Sequence, residues 1–131
     1  SKRKKIKINF SADAESVVLK ADSNKIMQVF HNLIDNAVKF SPEGSEIDVA
    51  LENNKNKVQV TVKDRGKGIA KVNQDKVFVP FTSIATKGTA GEKGTGLGMS
   101  IVKRIVDSHK GEIWLESELD KGTTFFVELP K

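Results

Sequence analysis

Apolar residues recur along this chain with two different periods, and the switches between them mark out its elements. Ile6, Ile8 and Phe10 alternate with polar positions, and residues 17–20 resume an apolar run after Ser-Ala-Asp-Ala-Glu-Ser, which predicts two short strands joined by a turn. From Ser23 the period becomes helical. Ile26, Val29, Phe30, Leu33, Ile34 and Ala37 fall on one face behind an N-cap at Asp22 or Ser23, and Ser41-Pro42-Glu43-Gly44 ends the helix near Phe40. Ile47, Val49 and Leu51, then Val58, Val60 and Val62, alternate on either side of Asn53-Asn54-Lys55-Asn56 and predict a hairpin.

A glycine-rich stretch, Asp64-Arg65-Gly66-Lys67-Gly68-Ile69, and a short apolar segment, Val77-Phe78-Val79-Pro80-Phe81, come next. Residues 82–93 carry no periodicity and concentrate Thr, Gly, Ala and Lys; a loop of this kind inside a compact domain is usually functional or mobile. Gly94-Thr95-Gly96-Leu97-Gly98 opens a second helix, with Met99, Val102, Ile105 and Val106 at helical spacing and a stop around His109-Lys110-Gly111. Ile113 and Leu115, then Phe125, Val127 and Leu129, form a last hairpin around residues 119–122. The expected fold is one α/β domain, a single mixed sheet with helices on its inner face.

Composition removes several functions. The 131 residues suit one domain, which at this size buries enough surface to need no disulfide or structural metal. The absence of cysteine excludes thiolate metal sites, Cys nucleophiles and a disulfide scaffold. No apolar run reaches membrane-span length, and the basic start lacks the apolar stretch of a signal peptide. The net charge is +5, but four basic residues sit in the first five positions, and the seven Phe and one Trp do not interleave with basic residues as base-stacking surfaces require. A nucleic-acid partner is therefore not expected.

Three features carry candidate chemistry. Asn32, Asn36 and Lys39 share one strip of the first helix, where two mid-helix Asn are poor helix formers; an amide oxygen suits a hard cation such as Mg²⁺, and a Lys one turn on suits phosphate. A polar strip beside a core face is also ordinary. Asp64, at the end of a strand and before Gly66 and Gly68, reads either as a plain turn or as a carboxylate that accepts from an exocyclic amine. The alternate glycines before the second helix offer N–H groups to phosphate oxygens, or serve as a hinge. This stretch lacks the spacing of the dinucleotide fingerprint and the Gly-Lys-Ser/Thr of a P-loop.

Taken in order, Asn-Leu-Ile-Asp-Asn-Ala-Val-Lys-Phe (32 to 40), Asp-Arg-Gly-Lys-Gly-Ile (64 to 69), Val-Phe-Val-Pro-Phe (77 to 81) and Gly-Thr-Gly-Leu-Gly-Met (94 to 99) closely resemble the N, G1, F and G2 boxes of sensor histidine kinases, a branch of the GHKL superfamily. Gly122-Thr123-Thr124-Phe125 resembles the family's closing segment, so the resemblance covers essentially the whole chain. It implies an α/β (α+β) two-layer sandwich that binds ATP with Mg²⁺ and transfers the γ-phosphoryl to a histidine. By motif, Asn36 would ligate Mg²⁺, with Asn32 beside it and Lys39 on the phosphates; Phe40 would lie beside the nucleotide. Asp64 would bind the adenine amine, Gly66 and Gly68 would line the base, Ile69 and Phe81 would contact the nucleotide, and Thr124 would support the adenine end. Residues 82–93 would be a mobile lid in which Lys87 either contacts the γ-phosphate or is a solvated loop lysine. Gly94, Thr95, Gly96, Leu97 and Gly98 would hold the phosphates.

Two residue-level observations refine this. In the gyrase-like, chaperone, mismatch-repair and serine-kinase branches, a Glu four residues before the metal-ligating Asn acts as general base, whereas here that position is Asn32. An amide has no useful basicity, which disfavours direct hydrolysis and favours an already nucleophilic imidazole. The only histidines, His31 on the helix surface and His109 at a helix end, do not fit the acceptor role. The expectation over residues 1–131 is thus an excised, monomeric catalytic domain. Its partners would be the dimerisation and phosphoacceptor domain of a homodimeric parent and a downstream response regulator. It would work in the cytoplasm, with anchoring of the parent in the membrane left open. A hydrolysing ATPase or serine kinase with an altered base, and a nucleotide-binding module without catalysis, stay open as alternatives.

Overall fold

The computed structural model describes residues 6–12, 23–79 and 98–130. Strand β1 (Lys7–Ala12) is followed by helix α1 (Ser23–Phe40), strands β2 (Glu46–Asn53) and β3 (Lys57–Lys63), a 3-10 helix (Lys71–Phe78), helix α2 (Gly98–Ser108) and strands β4 (Glu112–Glu118) and β5 (Gly122–Pro130). The strands form one sheet in the order β1-β2-β3-β5-β4. The β1–β2 pair is parallel and every other pair is antiparallel, so the sheet is mixed, as expected.

Period-two alternation decides what lies between the layers. Ile47 and Val49 of β2, Val58, Val60 and Val62 of β3, and Phe125, Val127 and Leu129 of β5 are buried. Against them pack Val29, Leu33 and Ala37 of α1 and Met99, Val102, Ile105 and Val106 of α2, residues three or four apart that put one stripe of each helix on the sheet. Both helices lie on this face. On the other face Trp114 stacks on Phe126, with ring centroids 5.2 Å apart.

The ends of the elements follow from local chemistry. Helix α1 stops where Pro42 would remove a donor, and the Ser41 hydroxyl donates to Ala37 O at 2.6 Å. Helix α2 stops with Lys110 at φ 61° and Gly111 N–H donating back to Val106 O at 2.9 Å. At the same end the His109 ring donates from Nδ1 to Ile105 O at 2.8 Å, satisfying a last-turn carbonyl. The 3-10 helix, which the sequence pattern did not predict, buries Val77 and sets Phe78 edge-to-face on Phe125 at 6.2 Å. The strand expected over residues 17–20 and the N-cap alternative Asp22 lie outside the described residues.

Candidate nucleotide site

Helix α1 supplies one wall. Asn32, Asn36 and Phe40 are spaced by four, so they climb one strip of the helix over about 12 Å. At the lower end Asn32 donates from Nδ2 to Gly98 O, the first residue of α2, at 3.3 Å, which joins the start of one helix to the middle of the other. At the upper end Asn36 and Phe40 line a cavity with Asp64, Gly68, Ile69, Thr123 and Phe125. The Phe40 ring is flanked by two ammonium groups, Lys39 Nζ at 5.2 Å and Lys67 Nζ at 5.4 Å from its centroid.

Asp64 forms the floor. It follows β3 directly and is 2% exposed. Its Oδ1 accepts from Gly66 N–H at 2.9 Å and Thr123 N–H at 3.2 Å, while its own N–H donates to Thr123 O at 2.9 Å. Burial pushes its carboxyl above the ordinary value of 3.8, and the two N–H donors pull in the opposite direction. A carboxylate has about four acceptor sites, so two N–H bonds leave room for a donor from a ligand.

The glycines between Asp64 and Ile69 are required by close approach. A Cβ on Gly66 would stand 2.1 Å from Phe40 O, and one on Gly68, at φ 72°, would stand 2.1 Å from Glu118 O. The loop is therefore wedged between the end of α1 and the β4–β5 turn. Ser117 fixes its far end: the hydroxyl accepts from Ile69 N–H at 2.7 Å and lies 2.8 Å from Thr123 Oγ1. Gln74 of the 3-10 helix adds donations from Nε2 to Ile69 O and Ser117 O. Beyond Asp64, Arg65 reaches back to β2, donating to Glu46 O at 2.9 Å and Asp48 Oδ2 at 2.7 Å.

The structure thus brings Asn36, Phe40, Asp64, Gly68 and Ile69 around one cavity, places Lys39 against Phe40 and seats Gly66 beneath Phe40. Thr124 is not brought there. Strand alternation turns Thr123 inward, buried and lining the cavity, and leaves Thr124 on the other face opposite Lys63 and Glu116. Phe81, Lys87, Gly94, Thr95, Gly96 and Leu97, with the lid expected over residues 82–93, lie outside the described residues. Sequence reasoning missed Thr123, Ser117 and Gln74; only Thr123 carried a signal, sitting two residues before the buried Phe125 on an alternating strand. His31 is exposed on α1, 3.7 Å from Asp35.

A divalent cation would find oxygen rather than sulfur or a carboxylate cage here. Asn36 offers a neutral amide oxygen beside the cavity, and among the described residues no group of three or more His, Asp or Glu is placed to hold a metal. That donor set fits Mg²⁺ carried mainly by phosphates and water. Among the described residues no helix is long and apolar enough to cross a membrane.

Comparison with known proteins agrees with the geometry. The family described as "Histidine kinase-, DNA gyrase B-, and HSP90-like ATPase" matches residues 21–131. Sporulation kinase A of Bacillus subtilis is 38% identical over 124 residues, which cover 95% of this chain and 20% of that protein. The chain therefore spans about a fifth of the length of this curated relative. Among solved structures, the nucleotide-free catalytic domain of histidine kinase ThkA superposes with a TM-score of 0.82 at 37% identity, covering 96% of this chain and 80% of that one. ThkA in complex with the response regulator protein TrrA gives 0.76 at 35%, covering 96% and 34%. Full-length ShkA in complex with AMPPNP gives 0.80 at 27%, covering 95% and 25%.

Proposed function

Because the chain belongs to the histidine kinase-, DNA gyrase B- and HSP90-like ATPase family, we propose that residues 1–131 act as the ATP-binding catalytic domain of a sensor histidine kinase. The domain passes the γ-phosphoryl of ATP to a histidine on a separate dimerisation domain, from which a response regulator takes it. The observation that carries this reading is one strip of α1 with two neighbours: Asn36 and Phe40 lie beside the buried carboxylate of Asp64, and Asn32, one turn earlier, is tied to the start of α2.

Each residue has a role in the proposed reaction. Asp64 accepts from the adenine amine while Phe40, Gly68 and Ile69 enclose the ring, and Thr123 N–H holds the carboxylate in place. Asn36, at the edge of the Asp64 cavity nearest Asn32, would hold Mg²⁺, which when bound offsets charge on the triphosphate, and Lys39 would reach the phosphates from its place against Phe40. Gly66 contributes by close approach rather than by a side chain. Asn32 keeps α2 in register with α1 and offers no base to activate water. The proposed catalytic power is positioning: the bond from the γ-phosphorus to its bridging oxygen breaks as one forms to an imidazole nitrogen held in line. We assign Lys87 and Gly94 to Gly98, with Thr95, Gly96 and Leu97, to the phosphate side by motif, Phe81 to the nucleotide without a side, and the adenine-end role of Thr124 to Thr123. The ThkA–TrrA and ShkA–AMPPNP complexes support a response-regulator partner and an ATP-type ligand.

The test is phosphate transfer from γ-labelled ATP with Mg²⁺. The chain alone retains no label; with the acceptor domain of its parent, the label appears on that domain in acid-labile form, and Asn36→Ala, which removes the amide oxygen, lowers the rate at least about tenfold, as loss of one charge-stabilising contact does. Steady release of phosphate by the chain alone, or label on His31, overturns the proposal.

A further inference from the structure

Two cavities meet at the wall made by Phe40, Gly68 and Ile69, and they differ greatly in size. The one at Asp64 holds about 10 Å³, room for about one water or an amine group. Its neighbour holds about 280 Å³, near the lower end of the roughly 300–1,000 Å³ typical of small-molecule sites. A purine ring cannot enter the first, whereas its exocyclic amine can. If the nucleotide reading above holds, the ring occupies the larger room and points its amine through the shared wall toward Asp64.

The far side of that room is not built from any of the four motifs. It is formed by the β4–β5 turn, with Leu119 and Asp120 facing Ala70 and Asn73. Leu119 is 56% exposed between Glu118 and Asp120, a turn position at which burial gives no reason for an apolar side chain. The turn is also held in place. Asp120 N–H donates to Lys67 O at 2.8 Å, and the Gly68 backbone lies against Glu118 O, so residue 119 sits at a fixed reach from the glycine loop. Leu119 and the Phe40 ring both line this room, and two preformed apolar groups there suit a flat ring.

We infer that Leu119 is a specificity-determining residue of the nucleotide site, closing the outer side of the purine room and setting the size of base substituent the site accepts. The proposal rests on the nucleotide reading, and the two can fail separately. Calorimetry with ATP and with 2-methylthio-ATP is carried out on the parent chain, Leu119→Trp, Leu119→Ala and Asp64→Asn, with thermal melting to check each fold. Leu119→Trp, whose added rings fill the room, weakens ATP at least about tenfold while melting with the parent, since the side chain is not part of the core. Leu119→Ala shifts the ratio of 2-methylthio-ATP to ATP affinity at least about fivefold toward the larger base, a change a purely structural role would not produce because it would weaken both alike. ATP affinity in Leu119→Trp within about twofold of the parent, or an unchanged ratio in Leu119→Ala, overturns the role of Leu119 while loss of binding in Asp64→Asn keeps the nucleotide reading. Unchanged ATP binding in Asp64→Asn overturns the reading itself. Should Leu119→Trp fail to fold, the ratio in Leu119→Ala decides.

Discussion

Burial raises the carboxyl of Asp64 above its ordinary value of 3.8 even though Gly66 and Thr123 donate to it. Because the folded pKa exceeds the unfolded one, the folded chain binds more protons than the unfolded chain between the two values. Stability therefore falls as pH rises through that window, and the cost is fully present above the folded pKa. Replacement by an amide keeps an oxygen for the two N–H donors and removes the buried charge. Asp64→Asn is expected to melt above the parent near about pH 7, with the gap narrowing as pH falls through the raised pKa toward the ordinary value. Thermal melts across that range check this; a variant that melts lower at neutral pH refutes it. A residue that costs stability where ATP would be bound has the character of a functional group held in place by its surroundings. Asp48 runs the other way. The Asn9 amide and then Arg65 lower its pKa, so its contribution is present above 3.8 and lost as pH falls through the lowered value. At that exposed position the contribution is small.

At the scale of elements, the glycine loop is the joint of the molecule. Gly68 combines φ 72° with a carbonyl 2.1 Å from where a Cβ would stand, so Gly68→Ala must move either the loop or the β4–β5 turn. A loss of about 1–3 kcal/mol is expected from conformation alone, measured by urea unfolding; stability equal to the parent would mean the wedge is not tight. The elements this joint connects were readable to different degrees. Both helices stood out because α1 buries Val29, Leu33 and Ala37 and α2 buries Val102 and Val106, spacings that only a helical period explains. The hairpins followed from alternation, but the parallel pairing of β1 with β2 joins residues such as Ile8 and Ile47, far apart in sequence, and no local pattern encodes it. Asn36 and Asp64 were legible because motif and position coincide with the cavity. Thr124, the residue taken from the motif, and Thr123, the one that lines the cavity, differ by strand phase, where a shift of one residue reverses the face. Ser117 and Gln74 act by hydrogen bonds across three elements, and the 3-10 helix has no apolar period, so neither left a trace in the sequence.

For the whole molecule, the proposed site has two ends on different parts of the fold. The base end is closed by α1, the glycine loop and the β4–β5 turn, and the phosphate end lies where Asn32 meets the start of α2. A nucleotide that spans both would add a further link between elements already joined by the core and by contacts such as Asn32 to Gly98 O. Binding to the folded state alone raises stability by about 2.7 kcal/mol at a hundredfold excess over Kd, a melting shift of roughly 10 °C in a domain of this size. Fragments behave differently. Adenosine and inorganic triphosphate each engage one end, and each loses translational freedom separately, so supplying both at the same concentration does not reproduce the linked molecule. Mg-ATP is expected to raise the melting temperature well beyond the combined effect of adenosine and Mg-triphosphate. If triphosphate alone gave the full shift, the net charge of +5, with Lys39 and Lys67 beside Phe40, would account for binding through charge, and the shift would then fade as salt is added. A shift that needs the base and persists in salt ties the cavity at Asp64 to the phosphates.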